Sequence, residues 1–168
     1  LHGGGDRYFN GFVCSFTQTG VGKASSPQAY STYEAVVVPW LWMLTRTANC
    51  RIFQKMKAPD IIKKIFSDYG FSGFVEDKLT GAYRVWEYCV QYRETAFNFV
   101  SRLMEQDGIY YFFKHKNGEH KLVLCDAPSA HSPFPKFEKI PFRPPGEQEV
   151  GTGHISSWTI EKAIQPGK

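Results

Sequence analysis

The chain has 168 residues and a mass of 19.2 kDa, enough for one domain or two small ones. Hydrophobic residues make up 42% and charged residues 21%, ordinary globular usage that excludes a disordered polymer, a collagen-like repeat and an acidic tail. The formal net charge is only +4, and no run of five like charges marks a dedicated nucleic-acid binder, so no nucleic-acid partner is expected.

Residues 1–6 do not join a charged stretch to an apolar one, so no signal peptide is expected, and the start at Leu1 reads as part of a longer protein. Alternation over residues 8–16 predicts a first strand, with Gly11 marking a bulge or a close approach. Residues 20–27, rich in Gly and Ser, read as a loop. Residues 33–38 are β-branched and apolar, the pattern of a buried strand, and Pro39 ends it or puts it at an edge. The longest apolar run, residues 35–44, contains Pro39 and falls short of the roughly 18 residues of a membrane helix, so no stable membrane insertion is expected. Inside that run, Trp40 and Trp42 point the same way if the chain stays extended. Either they fill a core, or Trp40, Leu41 and Trp42 form an anchor at a subunit interface, where Trp is often a hot spot. Residues 45–50 turn, and residues 51–54 look like a short strand.

A helix follows. Pro59 suits a first helical position and Asp60 puts negative charge in the first turn. Ile61, Ile62, Ile65, Phe66 and Tyr69 fall on one face, Lys63, Lys64, Ser67 and Asp68 on the other, and Gly70 closes the helix. Strand-like pieces at residues 74–75 and 84–92 are joined through Thr80-Gly81. A second helix starts near Thr95 as N-cap, buries Ala96, Phe99, Val100, Leu103 and Met104, and stops at Gly108. Residues 109–113 form an aromatic strand, Asn117-Gly118 a hairpin turn and residues 121–125 the return strand.

The two helical halves resemble each other. With Gly70 set on Gly108, Ile61, Ile62, Ile65 and Phe66 fall on Phe99, Val100, Leu103 and Met104, and Gln54 and Gln91 each lie shortly before a helix. The simplest reading is a small α+β module with two helices packed on one sheet. Residues 127–146 hold six of the ten prolines and read as an extended connector. Residues 153–164 return to strand alternation.

Little here carries chemistry. There is no GxSxG, HExxH or P-loop pattern, and Cys14, Cys50, Cys89 and Cys125 form no CxxC or CxxH pair. The expectation for the cysteines is four buried, reduced thiols of a protein made in the cytosol. His115 and His120 flank the hairpin turn and could face each other, but two histidines are a weak metal signal. Glu87 and Glu94 are available as a carboxylate pair, and Arg102 and Glu105 as a polar helix face, and in each case an ordinary solvated side chain is the simpler reading. No catalytic, cofactor-binding or metal residue is expected, and the chain does not read as an enzyme.

Several motifs then fall in one order: Arg7-Tyr8-Phe9-Asn10-Gly11, residues 33–44, Arg51-Ile52-Phe53-Gln54, Pro59-Asp60-Ile61-Ile62, residues 87–94 and residues 99–113. The series resembles the VgrG family, the spike proteins of the type VI secretion system, strongly over residues 7–126 and more loosely at residues 154–161. The resemblance implies a β-rich α+β fold, with portions of phage baseplate hub-like β-barrels and an inserted two-helix α+β module. Residues 1–50 would belong to a first barrel, 51–126 to the inserted module, 127–152 to the Pro-rich connector, and 153–168 to a strand entering the next barrel portion. It implies the structural base of a trimeric cell-puncturing spike that delivers effectors, with a contractile-phage baseplate hub as the alternative. Implied partners are two further copies of the chain, the hexameric Hcp tube, effector or adaptor proteins and a C-terminal needle of the same chain. The protein would be made in the bacterial cytoplasm, assembled on the secretion baseplate, and secreted or injected. No cofactor, catalytic residue or metal ligand is implied.

Overall fold

A computed structural model describes residues 6–23, 29–133, 138–144 and 153–162. Residues 6–130 form one compact unit, and the described residues from 131 onward belong to a second.

The first unit opens with an antiparallel ribbon of β1, Phe12–Lys23, and β2, Ala29–Val38, paired from Phe12 opposite Val38 to Lys23 opposite Ala29 with register shifts between Val13 and Ser15 and between Gln18 and Gly20. The strand expected over residues 8–16 therefore begins later and runs on through part of the expected 20–27 loop. Gly20 and Gly22 accept extended pairing once a partner strand supplies ladder bonds, and residues 24–27 lie outside the described residues. Gly11 is the close approach expected: a Cβ there would lie 2.7 Å from both the Val38 carbonyl oxygen and Val37 Cγ1.

Pro39 cannot donate to a ladder, and the chain turns immediately after it. The Trp42 N–H bonds back to the Pro39 carbonyl at 3.0 Å, winding Trp40–Thr45 into a 3-10 turn. The extended reading of this segment is corrected accordingly. Trp40 and Trp42 do not share a side, for Trp40 is buried and Trp42 half-buried.

Two like units follow. In the first, β3, Ala48–Lys57, runs directly into α1, Ala58–Asp68, and after Gly70 into β4, Val75–Lys78. In the second, β5, Val85–Thr95, runs into α2, Ala96–Asp107, and after Gly108 into β6, Tyr110–Lys116. Both glycines have positive φ, 82° and 69°, which a side chain would strain. Thr95 Oγ1 accepts the Asn98 N–H at 3.1 Å, the N-cap expected of it. A hairpin at Asn117-Gly118 leads to β7, Glu119–Cys125.

The strands form two sheets behind the helices rather than one. β3 pairs antiparallel with β5, while β7 lies between β6, antiparallel, and β4, parallel. One core unites them: Phe53 and Cys89 from the first sheet, Leu122 and Leu124 from the second, the apolar faces of both helices, and Trp40, Leu41 and Leu44 from the 3-10 turn. Fully burying one such large side chain contributes about 1.5–3 kcal/mol, so these helices are held by packing more than by propensity. The glutamine correspondence is corrected here. The shift that aligns the two glycines sets Gln91 on buried Phe53, whereas Gln54 is exposed.

Three further expectations change. The strand over residues 33–38 is largely exposed, because among the described residues no second layer packs on the ribbon. Only Cys89 and Cys125 are buried, whereas Cys14 and Cys50 are exposed, and all four are free thiols. In the second unit, the strand expected over residues 153–164 is reduced, among the described residues, to one parallel bridge between Phe142 and Ile155. Alternation makes a strand only where a neighbour supplies ladder bonds. Here the neighbour supplies two, Arg143 N–H to Ile155 O at 2.9 Å and Ile155 N–H to Pro141 O at 3.0 Å.

Candidate assembly surface

The three interface candidates separate on folding. Trp40 and Leu41 are 1% and 2% exposed and belong to the core, where Trp40 stacks on Phe71 and meets Phe66 edge-on, with centroids 4.6 and 5.0 Å away. Trp42 alone keeps surface, with the Arg46 guanidinium 5.2 Å from its ring.

The larger apolar surface lies elsewhere. On the β1–β2 ribbon, Phe12, Val13, Phe16, Tyr33, Val36 and Val37 are all exposed, and Phe16 stacks on Tyr33 at 5.3 Å. On β3 and β5, Ile52 faces Val90 in register, and Tyr88 and Tyr92 stand beside them, all exposed. Arginines ride over aromatic rings along these margins: Arg7 on Phe9, Arg84 on Trp86 at 3.5 Å, and Arg93 on Tyr92. Contiguous exposed apolar surface of this kind marks contact with another protein surface. The sequence does carry a signal for it, since residues 35–38 are apolar at consecutive positions. Such a strand needs cover on both faces, and among the described residues its side chains stay largely exposed.

Several titratable side chains are engaged structurally. Glu94 is gripped by Arg102, whose Nε and Nη2 donate to it at 2.8–3.1 Å, and Glu87 is exposed on β5, so no carboxylate pair is assembled. Asp126 accepts from Thr80 N and Oγ1, Gly81 N and Tyr83 Oη at 2.6–3.0 Å. The Tyr83 hydroxyl and these other donors hold its carboxyl down at about 2, while burial and the same carboxylate push the Tyr83 phenol up. Burial pushes the Cys89 and Cys125 thiols up, which makes them poor nucleophiles. His115 and His120 do face each other across the hairpin, with ring centroids 5.8 Å apart. Their nitrogens bond to Asn10 and Trp40 instead of converging on an ion site. Among the described residues no helix is long and apolar enough to cross a membrane.

Comparison with known proteins bears on this surface. The family model for the phage tail baseplate hub (GPD) matches residues 1–168. The chain is 49% identical over 167 residues to the type VI secretion system spike protein VgrG1b of Pseudomonas aeruginosa, covering 99% of this chain and 22% of that protein. It is 50% identical to VgrG1c of the same organism, with the same coverage. It thus spans about a fifth of the length of these relatives. Among solved structures, the Escherichia coli c3393 protein superposes with a TM-score of 0.67 at 24% identity, over 83% of this chain and 37% of that one. That protein is described as a component of the type VI secretion system similar in structure to the T4 bacteriophage tail proteins gp27 and gp5. At this identity the match speaks for the fold.

Proposed function

The chain belongs to the phage tail baseplate hub family, and from that premise we propose that it is hub material of a type VI secretion spike, working by assembly rather than by catalysis. One observation carries the reading: half of the residues are identical to those of two spike proteins across 99% of this chain. The exposed apolar ribbon agrees with it, because such a surface is stable in water only when further protein covers it.

In this reading the β1–β2 ribbon is part of a hub-like barrel, as is the surface around Trp42 at its foot. Residues 51–126 are an α+β module inserted into it, residues 127–152 a connector, and residues 153–168 the entry to the next barrel portion. The assembled particle is a trimer seated on the Hcp tube hexamer. It carries a needle and effectors, and it leaves the cytoplasm through the secretion apparatus. A contact that transmits force through a spike calls for a large buried interface, on the order of 2,000 Å² or more. A contractile-phage baseplate hub is the second reading, favoured by the family model.

A chimera tests the choice. Residues 1–168 replace the matching segment of VgrG1b, and export of the tube protein is measured in a strain lacking the native copy. Restored export supports the spike reading. A soluble, trimeric chimera that leaves export at the deletion level contradicts it and favours the phage hub.

A further inference from the structure

Asn10 is gripped twice by the β6–β7 hairpin. Its backbone N–H donates to His115 Nδ1 at 3.1 Å, and its side-chain Oδ1 lies 2.7 Å from His120 Nδ1. Across the same buried ring, His120 Nε2 accepts the Trp40 N–H at 2.9 Å. These bonds settle the protons. A nitrogen that accepts carries none, so His120 is bare at Nε2 and donates from Nδ1 to Asn10, and His115 is bare at Nδ1. Both imidazoles are neutral in this arrangement.

Nothing that holds the two rings welcomes a positive charge. His115 Nδ1 and the two His120 nitrogens meet two backbone amides and one carboxamide oxygen, and the rings meet Phe9, Phe12 and Phe113. Strand alternation sends Lys114, Lys116, Glu119 and Lys121 to the opposite face of the hairpin, where Lys114 is held by Glu76 and Lys121 by Glu119. From the N-terminal segment, Arg7 sits over the Phe9 ring that touches His115, and Asp6 accepts from the Tyr8 hydroxyl. Among the described residues, the elements packed on the pair thus bring one cation close and no carboxylate into contact with either ring.

We infer that Asn10 is a pH-releasable strap, fastened to the hairpin while His115 and His120 are neutral and freed when each takes a proton from solvent. A proton on His115 Nδ1 confronts the Asn10 N–H, and a proton on His120 Nε2 confronts the Trp40 N–H. In both places a donor then opposes a donor, and two stacked cations repel. The location gives the release its consequence. Residues 6–11 lead into β1 and Trp40 follows the end of β2, and Phe12 and Val38 are paired in register, so both legs of the ribbon are tied down at one histidine pair. Acidification loosens the root of the ribbon at the Asn10 and Trp40 amides. The sign is fixed by linkage. Burial, then the His115 charge, hold His120 below the ordinary histidine value of 6.5. The His120 end of the strap is therefore at full strength above that value and weakens as pH falls below it.

Hydrogen exchange on the full chain tests this. After correction for intrinsic rates, the Asn10 and Trp40 amides should speed up about tenfold more than those of Leu122 and Leu124 between about pH 7.5 and about pH 5. The double variant His115→Asn, His120→Gln keeps an oxygen acceptor near each bare nitrogen but cannot be charged, and it should abolish that excess. Equal behaviour of strap and β7 amides in the unmodified chain overturns the inference, as does an excess that survives in the double variant. If the variant does not fold, an NMR titration of the unmodified chain decides. The strap requires the Asn10 amide to titrate with the His115 ring and the Trp40 amide with the His120 ring, and amides that ignore the rings overturn it.

Discussion

The β3–α1 and β5–α2 halves of the first unit share one backbone path and differ in what braces it. Each strand has a non-glycine residue in the left-handed region just before its helix, Lys55 at φ 51° and Arg93 at φ 49°. The shift that superposes the two glycines superposes these residues as well. In the first half, Phe53 holds the core position and stacks on Phe99 at 5.6 Å, and Lys64 meets only Asp68, at 3.3 Å. In the second, buried Gln91 takes the place of Phe53 and donates to the Glu94 carbonyl at 3.0 Å. Arg102 takes the place of Lys64 and reaches the Val90 carbonyl at 2.7 Å as well as Glu94. The register explains the change. Asn49 faces Glu94 and Arg51 faces Gln91, so Cys50 alone stands against Tyr92 and Arg93, and β5 carries a bulge. A bulge breaks the ladder, and the carbonyls beside it need side-chain donors. One backbone pattern is thus held by apolar packing where the ladder is regular and by a polar brace where it is not.

Core truncation probes what the halves have in common. Phe99→Ala should cost about 4 kcal/mol and its counterpart Ile61→Ala about 3 kcal/mol, read from urea unfolding midpoints. A negligible loss at Ile61 would place the first half outside the cooperative core. The brace probes what differs. Arg102→Ala should cost about 1–2 kcal/mol through the lost Val90 and Glu94 bonds, and Lys64→Ala about 0–0.5 kcal/mol. Equal losses would break the contrast between the halves. The shared kink comes next: Arg93→Gly and Lys55→Gly should each stabilise by about 0.5 kcal/mol, because glycine enters the left-handed region without the Cβ clash. A gain at only one of them would show that the two kinks are not equivalent. The last test concerns the link between the halves, where Asp126 ties down Thr80, Gly81 and Tyr83. Its carboxyl is held down to about 2 in the fold, so its contribution is present above the ordinary value of 3.8 and fades as pH falls from there toward 2. Asp126→Asn should flatten that acid limb of an unfolding-versus-pH curve while leaving its neutral portion the same shape.

Much of this was legible in the residues. The apolar faces of both helices, the Thr95 cap, the closing glycines and the Asn117-Gly118 turn each follow from spacing and from a single residue's conformational range. The internal likeness also showed, although Gln54 and Gln91 were the wrong correspondence, since Phe53 and Gln91 share a place without sharing chemistry. For the surface, Trp40, Leu41 and Trp42 drew notice as a cluster of large side chains. Their fates depended on the Pro39 turn, which buried two of them and left Trp42 half out.

The sequence by itself determined which segments became helices, where they stop and which hairpin closes β6 on β7, because periodicity, caps and turn residues act within a few neighbours. Only the tertiary structure decided that β3 to β7 form two sheets rather than one, that β4 and β7 run parallel, that the apolar ribbon lies bare, and that the described residues 153–162 make a single bridge. Asn10 finding the histidines about a hundred residues further on is of the same kind. Pairing and burial are properties of two segments at once, and no pattern within one of them says where the other will be.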